Sequence, residues 1–302
     1  MRWLYYPCFR RVSSLLYKMP KRKSTITNPL CFKRHGVVCQ QQAPSSYRWI
    51  GIDQSEKTIK LRGSIDHKIE LEESHSDMRE ELIRVLQLTQ EERKWRNKGY
   101  QVIVGVDEAG RGPLAGPVVA AACILPPDVL FEGLNDSKKL TPSQRNILYE
   151  NIQKYAIEYA IGQVDHHTID QVNIFQATMM AVQDALKQLR TKPDMVIADG
   201  PHWKLTLDIP LVGVIKGDNT ILSVCAASIL AKETRDRWMI KASLDYPEYG
   251  FEKHKGYGTA FHLKAIQTFG PSALHRMSFR PLCEVKPDST SKRRRKPLNG
   301  NE

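Results

Sequence analysis

Two adjacent carboxylates, Asp107 and Glu108, end the short apolar run Val102–Val106. The run is rich in β-branched residues, a pattern that predicts a buried strand. Burying ionised carboxylates is unfavourable unless a cation or hydrogen-bond partner compensates the charge. The fold must therefore supply such a partner at this point, and a glycine-rich turn with one arginine, Gly110-Arg111-Gly112, follows directly.

Apolar runs and helical patterns alternate along residues 100–285. The run Val118–Leu125 is close enough to the first strand to pair with it in antiparallel fashion. Further strands are predicted at Met195–Ala198 and Leu211–Ile215, while Thr141-Pro142-Ser143-Gln144 has the pattern of a helix start. This order predicts an α/β domain with a mixed β-sheet flanked by helices and a small helical part at the C-terminal end.

The two ends of the chain have a different composition from the middle. Residues 1–52 contain no Asp or Glu, and we expect residues 1–70 to form a basic, disordered extension. Residues 71–99 predict a lead-in segment with one amphipathic helix, Asp77–Lys98, ended by Gly99. Residues 100–285 form the main domain, and residues 286–302 form a basic, disordered tail.

The acid-free N-terminus leaves three interpretations open. Its composition is typical of an organellar transit peptide, of a nucleic-acid-binding arm, or of sequence upstream of a true start at Met19. We expect the cytoplasm, with a mitochondrion or another organelle as the alternative if the segment is a transit peptide. The six cysteines include no C-x-x-C pair, which favours a reducing compartment.

The formal net charge of +12 favours a polyanionic partner, with nucleic acid as the first candidate. The alternative is an ordinary domain with two basic tails. The longest apolar run, Val118–Leu125, is too short to span a bilayer, so no membrane partner is expected. A monomer is the default expectation.

Four carboxylates share a position at the ends of predicted strands. Strands in open α/β sheets place their sites at the carboxyl ends, where these side chains would converge and repel one another. Such oxygen donors favour two divalent ions, Mn²⁺ or Mg²⁺, and the lack of a His/Cys cluster argues against zinc. The four acids are Asp107, Glu108, Asp199 and Asp218.

Each later acid also has a structural explanation. Asp199-Gly200 is an ordinary turn pair, and Asp218 is a natural helix N-cap. Asp136 is interpreted as a turn former and Asp236 as the surface partner of a neighbouring arginine, so both are left outside the site. The glycines around Arg111 form only a weak dinucleotide fingerprint, and close approach of the backbone to a polyanion explains them better.

Several motifs along the chain resemble those of bacterial-type ribonuclease HII, a type 2 ribonuclease H. They occur in that family's order between Tyr100 and Leu282 and read G-V-D-E-A-G-R-G-P-L-A-G-P, N-D-S-K-K-L, I-A-D-G, K-G-D, A-A-S-I-L-A-K-E-T-R-D and H-K-G-Y-G-T. The resemblance implies a ribonuclease-H-like fold. It also implies cleavage of the RNA strand of RNA/DNA hybrids and incision 5′ of ribonucleotides embedded in duplex DNA. The reaction would be two-metal-ion hydrolysis that leaves 3′-hydroxyl and 5′-phosphate ends.

The same resemblance assigns roles to individual residues. The family's four catalytic, metal-binding carboxylates match the four acids named above. Its ribose-reading turn matches Gly110, Arg111 and Gly112, and its junction-sensing tyrosine matches Tyr257. The phosphate contacts expected beside them, each equally consistent with a plain surface charge, are Lys138, Lys216, Lys232, Arg235 and Arg276. His254 and His275 are interpreted as core or phosphate-contacting residues rather than general bases.

Two alternatives remain at this point. The chain could be another metal-dependent nuclease of the same fold, or a basic nucleic-acid-binding protein without activity. The glycine turn together with Tyr257 favours ribonucleotide recognition, and the presence of all four acids favours an enzyme.

Overall fold

The computed structural model describes residues 37–39, 48–53, 58–62, 67–69, 76–127, 129–131 and 133–284. Within the predicted N-terminal extension it describes four short strands, β1 (Val37–Cys39), β2 (Arg48–Asp53), β3 (Thr58–Arg62) and β4 (His67–Ile69). β2, β3 and β4 form an antiparallel sheet. The remainder of the extension and the predicted tail at 286–302 lie outside the described residues.

The lead-in segment forms two helices rather than the single helix expected. α1 (Ser76–Leu88) and α2 (Gln90–Asn97) are separated at Thr89. The Thr89 hydroxyl donates to the carbonyl of Leu86 at 2.7 Å, a local bond that competes with helix continuation. Leu86 and its neighbours are buried, so the segment packs onto the main domain.

A five-stranded mixed sheet forms the centre of the domain. Its strands are β5 (Ile103–Ala109), β6 (Val118–Ile124), β8 (Glu158–Val164), β9 (Met195–Asp199) and β10 (Leu211–Val214), in the order β10-β9-β5-β6-β8. β5, β9 and β10 are parallel, while β6 runs antiparallel to both β5 and β8. β7 (Val129–Phe131) pairs with β1. The predicted α/β class and the antiparallel pairing of the first two core strands are confirmed.

Helices cover both faces of the sheet. They are α3 (Pro142–Tyr155), α4 (His166–Gln188), α5 (Gly217–Thr220), α6 (Leu222–Asp245), α7 (Phe251–His254) and α8 (Ala260–Phe269), with 3₁₀ turns at Pro247–Tyr249 and Leu282–Glu284. α4 packs on the face that carries Val104 and Val106, while α6 and α3 pack on the opposite face. α3 begins as its sequence predicts, because Thr141 and Gln144 form a reciprocal capping box.

α6 crosses β5 at very close range. A Cβ atom on Gly105 would lie 2.2 Å from the carbonyl carbon of Ser223, so only glycine fits at this crossing. The first half of α6 is buried almost completely, as expected for a helix enclosed by the fold. This contact fixes the helix that follows Asp218 against the strand that carries Asp107.

The C-terminal part docks against the loop that follows β5. The Leu114 amide donates to the Gly256 carbonyl at 2.8 Å, and Ala115 forms an antiparallel bridge with His275. Leu114 and Ala115 pack with Met239 and the α7–α8 region in one apolar cluster. Among the described residues, no helix combines the length and apolar character needed to cross a membrane.

Candidate active site

The strand register brings three carboxylates to one edge of the sheet. β5 and β9 pair Val106 with Ala198, so the next positions, Asp107 and Asp199, lie side by side on parallel strands. The Asp218 amide lies 3.5 Å from Oδ1 of Asp199, at the start of α5. The expected convergence of these three acids at the carboxyl ends of neighbouring strands agrees with this arrangement, although β5 continues two residues beyond Asp107.

Asp107 is deeply buried at the end of the central strand. Its Oδ1 accepts the Glu108 amide at 2.8 Å, and only 5% of the residue is exposed. Burial first, and then the charges of Glu108 and Asp199, raise the pKa of Asp107 well above its ordinary value. A bound cation would relieve both the desolvation and the repulsion.

Glu108, the next residue along the strand, meets the arginine of the turn. Its Oε1 accepts from Nη1 of Arg111 at 3.1 Å. Burial raises the pKa of Glu108, and the Arg111 charge partly offsets this effect. Its other oxygen, Oε2, is buried and has no hydrogen-bond partner, so one carboxylate oxygen is available to a further ligand.

Asp218 is buried and pairs with a lysine from a neighbouring loop. Nζ of Lys138 lies 3.5 Å from Oδ2 of Asp218. Burial, together with the charges of Asp199 and Asp136, raises the pKa of Asp218. Burial lowers the pKa of Lys138, but Asp218, Asp136 and Asp107 outweigh this effect and raise it overall.

Asp136 belongs to this acidic edge, although the sequence interpretation left it outside. It is 7% exposed, and its Oδ1 accepts the Lys138 amide at 2.9 Å, which shapes the loop that presents Lys138. The hydroxyls of Ser137 and Ser228 meet at 2.9 Å and link this loop to α6 beside Asp107. The turn-forming role expected for Asp136 is correct, and its proximity to Asp218 depends on tertiary packing.

Divalent cations suit this donor set. All four side chains offer carboxylate oxygens, and one of these oxygens, Oε2 of Glu108, is buried without a hydrogen-bond partner. Hard ions such as Mg²⁺ and Mn²⁺ prefer such ligands. Within the described ranges, no group of three or more His, Cys, Asp or Glu side chains is already arranged to hold an ion. In the structure, Arg111 pairs with Glu108, and Lys138 pairs with Asp218.

The glycine turn and Tyr257 lie next to each other at this edge. A Cβ on Gly112 would lie 3.6 Å from Cε1 of Tyr257, which is ordinary van der Waals contact. The Tyr257 residue is 44% exposed, with Nζ of Lys232 5.9 Å from the ring centroid. The fold therefore juxtaposes the two features that sequence resemblance assigned to ribose recognition.

The expected phosphate contacts divide into two groups. Lys138 and Lys216 are exposed at the acidic edge, and Lys232 is partly exposed while its Nζ contacts Asp236 at 2.7 Å. Lys216 has a left-handed backbone, with φ of 58°, directly before α5. Asp236, expected on the surface, is 6% exposed and also pairs with Arg145.

Arg235 and Arg276 do not have the positions expected of phosphate contacts. Arg235 is 1% exposed and Arg276 is 0% exposed. Both guanidinium groups donate to backbone carbonyls beneath the glycine turn rather than facing solvent. The expectation of phosphate contact is therefore wrong for both residues. Other segments of the chain fold over their side chains and keep them from solvent.

The histidines form a buried cluster in the C-terminal part. His275 is 2% exposed, and its Nε2 lies 3.0 Å from Nε2 of His262, which is fully buried. Nδ1 of His262 contacts the carbonyl of Tyr257 at 2.9 Å. Of the two interpretations offered for His275, the core residue is correct, and His254 stacks on the same cluster.

Comparisons with known proteins agree with this geometry. The family described as Ribonuclease HII matches residues 104–281. A protein named ribonuclease HII from Chlamydia trachomatis is 51% identical over 191 residues, covering 62% of this chain and 86% of that protein. The ribonuclease HII of Bacillus cytotoxicus is 47% identical over 208 residues, covering 69% and 80%. The crystal structure of ribonuclease H2 from Pyrococcus horikoshii superposes with a TM-score of 0.51 at 27% identity, covering 61% of this chain and 96% of that one.

Proposed function

The chain belongs to the ribonuclease HII family of metal-dependent endoribonucleases that act on RNA/DNA hybrids, and from this premise we propose that it also incises duplex DNA on the 5′ side of embedded ribonucleotides. The products would carry 3′-hydroxyl and 5′-phosphate ends. The observation that carries the proposal is the proximity of Tyr257 to the glycine turn beside the acidic edge, where a Cβ on Gly112 would lie 3.6 Å from Cε1 of the ring.

The four carboxylates Asp107, Glu108, Asp199 and Asp218 would hold two divalent ions, Mn²⁺ or Mg²⁺. Such ions supply an activated water and stabilise the departing 3′ oxygen in phosphodiester hydrolysis. The fold contributes an edge on which Asp107 neighbours Glu108 and Asp199, and burial together with the charges of these two carboxylates raises the pKa of Asp107. Arg111 and Lys138 hold the outer acids when no ion is bound and are free to meet phosphate oxygens when one is.

Ribose recognition would come from the turn and the tyrosine together. A 2′-hydroxyl is what separates RNA from DNA at a given position, and backbone amides can donate to its oxygen. Tyr257 presents an exposed ring face that can stack on the adjoining sugar. Because the ring lies close to the turn at Gly112, one nucleotide step would contact both.

Phosphate contacts would give affinity without sequence preference. Lys138, Lys216 and Lys232 surround the acidic edge with cationic side chains. Contacts of this kind release counterions, so binding should weaken steadily as salt rises. A monomer in the cytoplasm remains our proposal for the state of the protein. The transit-peptide alternative concerns residues 1–52, most of which lie outside the part of the chain that the structure describes.

The test is incision of a DNA duplex with one embedded ribonucleotide, in Mg²⁺ and in Mn²⁺, with end analysis of both fragments. We expect a single cut 5′ of the ribonucleotide and none in the all-DNA duplex. Asp107→Asn should abolish the cut while leaving duplex binding intact. Absence of incision by the intact chain with either ion would refute the proposal, and binding without cutting would favour the inactive nucleic-acid-binding alternative.

Tyr257 offers a graded check on the same substrate. Tyr257→Phe removes only the hydroxyl, whereas Tyr257→Ala removes the stacking face, which is worth about 1–3 kcal/mol per base in other single-strand contacts. We therefore expect the alanine variant to lose more activity than the phenylalanine variant. Equal losses would show that the hydroxyl, not the ring, carries the effect.

A further inference from the structure

Two buried arginines beneath the glycine turn lack a carboxylate partner. Arg276 and Arg235 are each at most 1% exposed, and neither forms a salt bridge with any described residue. Burial, and then the neighbouring Arg235 charge, lower the pKa of Arg276 to about 9, while burial lowers that of Arg235 to about 10. Both are therefore still cations at neutral pH, and their charge must be stabilised by hydrogen bonds.

Backbone carbonyls provide those hydrogen bonds. Arg276 donates from Nη2 to the Gly110 carbonyl at 2.7 Å, from Nη1 to that of Arg111 at 3.1 Å and from Nε to that of Gly116 at 2.9 Å. Arg235 donates in the same way to the carbonyls of Pro117 at 2.9 Å, Ala115 at 3.1 Å and Lys255 at 3.0 Å. Two guanidinium groups thus hold the carbonyls of one loop and of the segment before Tyr257.

This arrangement fixes the direction of two amides. In a trans peptide the carbonyl of one residue and the N–H of the next point in opposite directions. The peptides of the turn are trans, since the cis bond that the described chain contains is Arg280–Pro281. With the Gly110 and Arg111 carbonyls turned toward Arg276, the N–H groups of Arg111 and Gly112 point away from it.

Those two N–H groups face outward without a partner. Arg111 and Gly112 are exposed, and neither amide donates to any acceptor in the part of the chain that the structure describes. Successive free N–H groups of this kind form a concave donor site for an oxygen or an anion. The Tyr257 ring lies near the same turn, since a Cβ on Gly112 would lie 3.6 Å from its Cε1.

Arg235 also ties the turn to the tyrosine. Its Nη1 holds the Lys255 carbonyl two residues before Tyr257, while its Nε lies so close to Gly110 that a Cβ there would approach to 2.1 Å. Gly110, with φ of 99°, is therefore required both by its backbone conformation and by the guanidinium beneath it. The Arg235 side chain therefore contacts both the turn that carries the amides and the segment that leads to the tyrosine.

We propose that Arg276 and Arg235 are positioning residues for ribose recognition: Arg276 aims the Arg111 and Gly112 amides at the 2′ oxygen, and Arg235 sets the distance from those amides to Tyr257. This inference rests on the proposed function and assigns its selectivity to two residues that do not touch the substrate. The guanidinium suits the task because its planar fork can hold three carbonyls at once, which a lysine ammonium on a flexible stem cannot do in the same geometry.

The test compares Arg276→Lys and Arg235→Lys with Arg96→Lys in the full chain. Arg96 is the matched control, because its side chain is also mostly buried and donates to a backbone carbonyl, that of Gln101, at the far end of β5. Affinity for a duplex with one ribonucleotide and for the all-DNA duplex is measured by fluorescence anisotropy without divalent ions. Initial rates with Mn²⁺ then give kcat/KM on the ribonucleotide duplex, and circular dichroism establishes that each variant is folded.

We expect the Arg276 substitution to reduce both the preference for the ribonucleotide duplex and kcat/KM on it by about tenfold or more. This is the effect expected from the loss of one or two well-aligned hydrogen bonds. Affinity for the all-DNA duplex should stay as in the wild type, because phosphate contacts lie elsewhere. Arg96→Lys should leave the preference unchanged even if its melting temperature falls. A folded Arg276→Lys protein with the wild-type preference would overturn the inference.

A second measurement does not depend on the variants folding. In ¹⁵N-labelled wild-type protein, the Arg111 and Gly112 amide resonances should shift on adding the ribonucleotide duplex and shift much less with the all-DNA duplex. Identical responses to the two duplexes would refute the role of these amides. Failure of the wild type to incise would refute the proposed function instead, so the two failures are distinguishable.

Discussion

The substitution Gly105→Ala tests whether the crossing of α6 over β5 controls both stability and the active site. The new Cβ would lie 2.2 Å from the Ser223 carbonyl carbon and 2.4 Å from the Val224 nitrogen. Both are backbone atoms, so no side-chain rotation can relieve the overlap. To reach an ordinary contact of 3.4 Å, the helix must retreat from the strand by about 1 Å.

The magnitude follows from how α6 is buried. Its first half packs against the sheet, α3 and the lead-in segment, so a retreat opens voids along several contacts at once. Overpacking of a core typically destabilises a protein by about 1–3 kcal/mol. Because the new Cβ meets backbone atoms, the expected loss of stability lies at or above the upper end of this range. For a domain of this size, about 3 kcal/mol lowers the melting temperature by roughly 6–12 °C.

The same shift should disturb the site, since Asp218 lies in the short helix α5 that leads into α6, and Ser228 of α6 contacts Asp107. Urea and thermal unfolding measure the stability change, and incision of the ribonucleotide duplex measures the activity. Gly112→Ala is the matched control for stability, because its Cβ meets only a side-chain atom at 3.6 Å. A Gly105→Ala protein as stable as Gly112→Ala would refute the reasoning about the helix crossing.

Further outcomes follow from three buried titratable groups. Burial raises the pKa of Glu92, whose Oε1 accepts the Ser223 amide at 2.8 Å, so the wild type should lose stability as pH rises through that pKa. Glu92→Gln keeps the acceptor and should flatten this dependence in unfolding experiments; an unchanged slope would contradict it. Burial lowers the pKa of His262 to about 4 and of His275 to about 3, so the unfolded state binds more protons and stability falls as pH drops. We expect this loss as pH falls from about 6.5 toward about 4, and a weaker pH dependence of unfolding by urea for His262→Asn; a wild-type slope in the variant would exclude it.

Local sequence patterns determined most of the core strands, the antiparallel pairing of the first two, and the position of the acids at strand ends. The Val102–Val106 run and the next apolar run predicted β5 and β6 because β-branched residues in short blocks favour buried strands. The three aspartates were expected at one edge because parallel strands place their carboxyl ends together. These features depend on residues close in sequence or on a general rule of sheet topology, so the sequence alone was sufficient.

Burial of individual charges was not predictable in the same way. Arg235 and Arg276 were expected to contact phosphate because charged residues are mostly exposed. The structure buries both, because other segments fold over them. The loop after β5 is more than 100 residues away from Arg235 along the sequence, and the segment around Lys255 is about 20 residues away. Asp136 was left out for the related reason that its distance from Asp218 depends on how a loop packs against α5.

The sequence by itself thus determined the family resemblance, the sheet and the residue types at the acidic edge. Only the tertiary structure decided which cations face that edge and which lie beneath the glycine turn. The physical reason is range: strand and turn preferences act over a few residues, whereas the exposure of a guanidinium depends on segments brought together from distant parts of the chain. Six carbonyls then stabilise two buried charges that no local pattern would have placed there.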